Sequence, residues 1–121
     1  MNVKRLLIIE DDLFLVKVMQ KKFEKKGYTV NILLDGLKTV ETAISFKPDI
    51  VLVDLIMPET DGFTAISELK NNPETANIPI IVASNLGSEE DINNAKKLGI
   101  SKYFVKSNVD LNGVISYIDS L

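Results

Sequence analysis

The chain has 121 residues, of which 45% are apolar and 26% charged, with a net charge of −3. That length can bury a core without staples and suits one domain spanning residues 1–121, and the composition is that of an ordinary soluble globular protein. A net negative chain has no electrostatic footprint for nucleic acid or an anionic membrane, and the absence of Cys and His excludes disulfides and thiolate chemistry and leaves oxygen-ligand metals.

Strand-like apolar runs alternate with helix-period segments five times. Leu6–Ile9 is predicted as the first strand. It ends in Glu10, Asp11 and Asp12, and a helix follows to about Lys26, stopped by Gly27. Tyr28–Leu34 is the second strand, closed by Asp35-Gly36. Leu37–Phe46 reads as a helix with Leu37, Val40, Ala43 and Ile44 on one face, and Lys47-Pro48-Asp49 breaks it. Ile50–Val53 has no polar alternation, which suits a strand covered on both faces of a parallel sheet. It runs into Asp54, and the chain breaks again at Pro58.

Asp61 is placed to cap a third helix that runs to about Asn71 and buries Ile66 and Leu69. A polar loop, Asn72–Asn77, leads to the fourth strand, Pro79–Ser84. Ser88 and Asp91 have the spacing of a capping box for a fourth helix, which Gly99 ends. Lys102–Lys106 is the fifth strand, and Leu111–Leu121 is a last helix striped by Leu111, Val114, Ile115, Ile118 and Leu121. A (βα)5 order with crossovers of this length demands parallel strands, right-handed connections and helices on both faces. The last helix ends with the chain, so no output domain is expected. The longest apolar runs, such as Leu6–Ile9 and Ile78–Ala83, are strand-sized, so neither a signal peptide nor a membrane span is expected and the default location is cytoplasmic.

Parallel strands bring their C-terminal ends to one edge, where open α/β sheets place their ligands. The residues at those ends are Glu10, Asp11 and Asp12, then Asp54, Ser84 and Lys106. Two carboxylates at about 4 Å repel by roughly 4 kcal/mol at an effective dielectric near 20. Such a cluster needs protonation or a divalent cation, and hard oxygens with few protein ligands suit Mg²⁺. Lys106 is either a fixed positive charge for a second anion or an ion-pair partner of Asp54 or Asp11. The E-D-D first turn repels a bare phosphate, and neither G-x-G-x-x-G nor G-x-x-x-x-G-K-[ST] occurs.

The four strand-end motifs carry a resemblance that covers essentially the whole chain. I-I-E-D-D, D-L-I-M-P-E-T-D-G, P-I-I-V-A-S and Y-F-V-K, in this order, resemble the receiver domain of two-component response regulators in its single-domain, chemotaxis-regulator-like form. The resemblance implies a flavodoxin-like, doubly wound sheet with strand order 2-1-3-4-5. It implies that Asp54 is the phosphoacceptor and that Mg²⁺, with Mn²⁺ as a substitute, is held by Asp11, by Glu10 (usually through water), by Asp54 and by the backbone carbonyl of Ile56. Ser84 matches the hydroxyl that turns toward the phosphoryl group, Lys106 the lysine that pairs with it, and Tyr103 the aromatic whose rotamer follows. The implied donor is a histidine kinase or histidine phosphotransfer protein, and the implied output is a downstream protein bound by the fourth helix, fifth strand and fifth helix. Such a domain catalyses its own phosphorylation and dephosphorylation only, and meets no nucleic acid or membrane directly.

One departure from the family pattern is Ser107, which follows Lys106 where the family usually has a cis proline. A cis bond before a non-proline costs about 3 kcal/mol, so the loop is either strained or trans. Ile56 and Asn85 occupy positions that tune access of the hydrolytic water in the family. In the first helix Leu15, Val16, Met19 and Phe23 share one face, while Phe14 and Val18 fall nearly opposite and are expected to dock the phosphodonor. The fourth helix carries a thin stripe of Ile92, Ala95 and Leu98, which predicts a loosely held element. A pseudo-receiver that binds partners without phosphorylation is the alternative. The intact Asp54, Asp11, Ser84 and Lys106 set stands against it.

Overall fold

The computed structural model describes residues 5–57 and 59–121, so the break expected at Pro58 lies outside the described residues. Ten elements alternate: β1 (Arg5–Ile9), α1 (Leu13–Lys25), β2 (Thr29–Leu33), α2 (Thr39–Phe46), β3 (Ile50–Val53), α3 (Gly62–Lys70), β4 (Ile80–Ser84), α4 (Glu89–Lys97), β5 (Lys102–Val105) and α5 (Leu111–Asp119). The strands form one sheet in the order β2-β1-β3-β4-β5, parallel throughout. This is the doubly wound, flavodoxin-like topology, with the order reversing after β1.

Side chains alternate faces along a strand, and here both faces are covered. Leu6, Ile8, Ile50 and Leu52 pack with Met19 and Phe23 of α1 and Val114, Ile115 and Ile118 of α5. Leu7, Ile9, Val51 and Val53 pack on the opposite side with Ala43 of α2 and Ile66 and Leu69 of α3. That two-sided burial is why β1 and β3 read as unbroken apolar runs. Each fully buried branched side chain contributes about 1.5–3 kcal/mol, so β1 and β3 anchor the edge that carries the site.

Helix starts follow the capping residues. The Asp12 carboxylate accepts from the amides of Phe14 and Leu15, Asp61 from Thr64, and Asp110 from Gly113. Ser88 caps α4 by accepting from the Asp91 amide at 3.1 Å, but Asp91 accepts from the Ser88 hydroxyl at 2.8 Å. Only half of the expected capping box is formed. The second helix also starts later than its periodicity predicts. Asp35 accepts from the Leu37 amide at 3.0 Å and the Thr39 hydroxyl donates to the Gly36 carbonyl at 2.8 Å. These local bonds hold residues 35–38 in a turn, which leaves Leu37 59% exposed instead of on the buried face. In α4 only Ala95 is buried, with Ile92 and Leu98 half-buried, as its thin stripe predicts.

Candidate functional site

The sheet ladder continues one residue beyond several strand ends and fixes the groups placed there. The Glu10 amide donates to the Leu33 carbonyl at 3.0 Å, the Asp54 amide to Ile9 at 3.0 Å, and the Lys106 amide to Ser84 at 2.8 Å. Glu10, Asp54 and Ser84 are buried, and Asp11 is exposed at the rim. One carboxylate oxygen from each of Glu10, Asp11 and Asp54 lies within 4.8 Å of the others. Asp12, the fourth acid, is turned away to cap α1.

Lys106 bridges two of these acids. Its Nζ lies 2.6 Å from Glu10 Oε1 and 3.0 Å from Asp54 Oδ2. The expected pairing with Asp54 is present; the second partner is Glu10 and not Asp11. The other Glu10 oxygen accepts from the Asp12 amide at 3.2 Å, so this carboxylate is held from two sides. Asp54 Oδ1 accepts from the Ile56 amide at 3.2 Å. Burial pushes the Glu10 carboxyl above its usual range, against the pull of Lys106. Burial pulls the Lys106 ammonium down, but its bonds to Glu10 and Asp54 outweigh that and leave it raised. Three carboxylates face one ammonium, an oxygen-rich donor set that fits a hard divalent cation.

No cis peptide bond occurs among the described residues, so Lys106 and Ser107 are joined in trans. The lysine nevertheless reaches the acids. Gly62 completes the floor of the site. Its amide donates to the Leu55 carbonyl at 3.0 Å, and a Cβ there would lie 2.3 Å from the Asp54 carbonyl oxygen. Only glycine lets α3 start this close to the end of β3.

Ser84 and Tyr103 converge on one residue that sequence reasoning did not single out. The Ser84 hydroxyl accepts from the Leu86 amide at 3.3 Å, and the Tyr103 hydroxyl donates to the Leu86 carbonyl at 2.5 Å. Both contacts use backbone atoms of Leu86, so no side-chain motif could have signalled them. Burial first, then Asp91 and Asp54, raise the Tyr103 phenol against the nearby Ser84 hydroxyl. Around the rim, Ile56 is 52% exposed and Phe14 78% exposed. Val18, half-buried, lines a surface groove with Phe14, Lys17 and Lys21.

Residues 6–118 match the response regulator receiver domain. The chain belongs to that family. This receiver is 33% identical over 120 residues to the chemotaxis protein CheY of Treponema pallidum, covering 97% of this chain and 81% of that protein. It is 33% identical over 102 residues to the DNA-binding dual master transcriptional regulator RpaA of Synechocystis, covering 84% of this chain but only 42% of that protein. It thus spans less than half of some of the curated relatives it matches. Among solved structures it is similar to the Mn²⁺-bound form of response regulator Rcp1, with a TM-score of 0.80, 25% identity, and coverage of 97% and 90% of the two chains. Receiver domains are the phosphorylation-dependent switches of two-component signalling and not metabolic enzymes. Among the described residues no helix is long and apolar enough to cross a membrane.

Proposed function

We propose that Asp54 is the phosphoacceptor of this receiver and takes its phosphoryl group from a phosphohistidine on a histidine kinase or histidine phosphotransfer protein. The observation that carries this reading is the position of the Asp54 carboxylate. It is buried at the end of β3, bonded to Lys106 at 3.0 Å and grouped with Glu10 and Asp11. A carboxylate oxygen of Asp54 attacks phosphorus in line, an acyl-phosphate P–O bond forms, and the P–N bond to the donor imidazole breaks. These 121 residues contain no histidine, so the donor phosphohistidine lies outside them.

Glu10, Asp11, Asp54 and the Ile56 carbonyl are the groups that would hold Mg²⁺, or Mn²⁺ as in the Rcp1 structure. Bound there, the cation would offset the acids and the charge on the incoming phosphoryl oxygens. Lys106, already bonded to Asp54, pairs with a phosphoryl oxygen. Ser84 then exchanges its bond with the Leu86 amide for one to the phosphoryl group. That loosens the residue Tyr103 also grips, and shifts the population of the α4–β5–α5 face presented to a downstream protein. Phe14 and Val18, on the rim beside the site, dock the donor.

The test is incubation with Mg²⁺ and acetyl phosphate, read by mass and by Phos-tag mobility. One Mg²⁺-dependent phosphoryl group is expected on the native chain and none on Asp54→Ala. Equal labelling of Asp54→Ala refutes the assignment.

A further inference from the structure

A cavity of about 140 Å³ lies directly beneath the acid–lysine cluster, on the face of the sheet covered by α1 and α5. Its walls are apolar: Ile8 and Leu52 from the sheet, Leu15 and Met19 from α1, and Val109 and Val114 from the other side. Polar side chains meet it in one place, where Glu10, Asp54 and Lys106 form a wall. Those three are already bonded to one another at 2.6 and 3.0 Å. Among the described residues, no buried side-chain nitrogen or oxygen lacks a partner. Away from that wall the lining offers a water no polar side chain, whereas an ordered water needs two to four partners. An apolar cavity of about 150 Å³ stays dry and admits benzene or xenon. The space beneath Lys106 is of that size, and its lining is apolar except along the wall of Glu10, Asp54 and Lys106. Leu15 and Val109 are half-buried while Ile8 and Leu52 are buried, so the cavity opens toward solvent between α1 and the β5–α5 loop.

We propose that this cavity is a binding site for a neutral, compact apolar molecule the size of a single six-carbon ring, and that Lys106 senses its occupancy. Neutrality follows from the apolar walls. A charged ligand lying in the space would be desolvated against Ile8, Leu15, Met19, Leu52, Val109 and Val114. Size follows from the volume, because a two-ring molecule would force the wall apart. Met19 has an unbranched, adaptable side chain that can settle around such an occupant. Sensing follows from the shared wall, since any molecule that fills the space abuts Lys106. The site does not depend on phosphorylation of Asp54, and its test does not use phosphorylation.

The experiment is a benzene titration of the full chain with methyl-labelled Leu and Val, followed by NMR together with the Lys106 ammonium signal. Saturable shifts are expected at Leu15, Leu52 and Val114 and at Lys106. In Ala83→Leu, whose longer side chain projects into the space from β4, binding is expected to weaken at least tenfold. Non-saturating shifts, equal binding by Ala83→Leu, or naphthalene binding as well as benzene overturn the site. A Lys106 signal unmoved at saturation overturns the sensing. Should Ala83→Leu fail to fold, xenon-pressurised crystals of the unaltered chain decide. Xenon between Met19 and Val114 supports the site, and xenon elsewhere only, or ordered water in that space, overturns it.

Discussion

Replacing Lys106 with Met keeps most of the aliphatic stem and removes one charge, which isolates the electrostatics of the cluster. The two contacts, at 2.6 and 3.0 Å, join an ammonium that is 22% exposed to carboxylates that are 4% and 9% exposed. At an effective dielectric near 20, each contact represents roughly 5–6 kcal/mol of attraction before desolvation is subtracted. Desolvation removes most of that, and deleting one partner of a buried pair costs about 3–5 kcal/mol. Because Lys106 keeps some contact with solvent, the lower end applies, and Lys106→Met is expected to lose about 3 kcal/mol at pH 7 in chelator. The sign with pH is fixed by Glu10. Its folded pKa lies above the ordinary 4.5 because burial outweighs Lys106, so the folded state holds the extra proton. Stability from this group is full below pH 4.5 and is lost as pH rises through the folded value. Without Lys106 that value rises further, so the penalty is largest at pH 7 and shrinks toward pH 4.5. Lys106 itself, raised above 10.5, contributes stability below that pH which fades as pH climbs through its folded value. Urea denaturation of both proteins at several pH values, with EDTA and then with Mg²⁺, measures all of this. A loss under about 0.5 kcal/mol at pH 7, or the same loss at pH 4.5 and 7, would refute the bridge as a buried, pH-linked pair.

Three other substitutions test separate parts of the structure. Gly62→Ala sets a Cβ 2.3 Å from the Asp54 carbonyl oxygen and 2.7 Å from Leu55 Cα, both backbone atoms that cannot step aside. It is expected to destabilise by about 1–3 kcal/mol or more in urea melts, and a neutral result removes the close approach as a requirement. Lys47 ends α2 with φ of 53°, so Lys47→Gly is expected to raise stability by about 0.5–1 kcal/mol, checked by the urea midpoint at unchanged m-value. Ile56 stands half-exposed two residues from Asp54, and Ile56→Asn is expected to speed phosphate release about fivefold, roughly 1 kcal/mol of barrier, by replacing an apolar shield with a group that can hold water. An unchanged half-life of the acyl phosphate, followed by its rate of loss, counts against that shielding.

The strands were legible because two-sided burial leaves an unmistakable mark. Leu6–Ile9 and Ile50–Val53 have no polar residue to interrupt them, and both lie at the centre of the sheet. Once their ends are aligned, Glu10, Asp54, Ser84 and Lys106 converge whatever the side-chain angles. Edges were harder. Tyr28 and Leu34 extend the apolar run of β2, yet the strand is Thr29–Leu33 at the sheet margin. There Tyr28 leaves the ladder, and its hydroxyl donates to Asp119 at 2.8 Å. Leu37 fits a helical stripe, but the side chains of Asp35 and Thr39 hold it in a turn. Periodicity reports which residues want burial and is silent on local side-chain bonds that compete for the same backbone. The second partner of Lys106 was illegible for a related reason. Glu10 and Asp11 are adjacent acids, and the choice between them depends on which one the strand buries.

The position of Ser107 shows what holds the lysine in place. A proline after the lysine would restrict the loop covalently, and this chain lacks one. The restriction comes instead from the ladder: Val105 is registered against Ser84, and the Lys106 amide donates to the Ser84 carbonyl at 2.8 Å. Ser84 is buried, and its register is shared through β4 with β3, where Val53 opposes Val82 one residue before Asp54. Lys106 and Asp54 are therefore positioned by one continuous set of backbone bonds across three strands. Side chains alternate faces, so a slip of β5 by a single residue would send Lys106 to the opposite face and bring Val105 toward the acids. Such a slip would also take Phe104 away from Tyr117 of α5, against which it packs edge-on with ring centroids 5.5 Å apart. The same aromatic contact that holds α5 to the sheet thus guards the register that delivers the lysine, and a trans bond at Ser107 suffices.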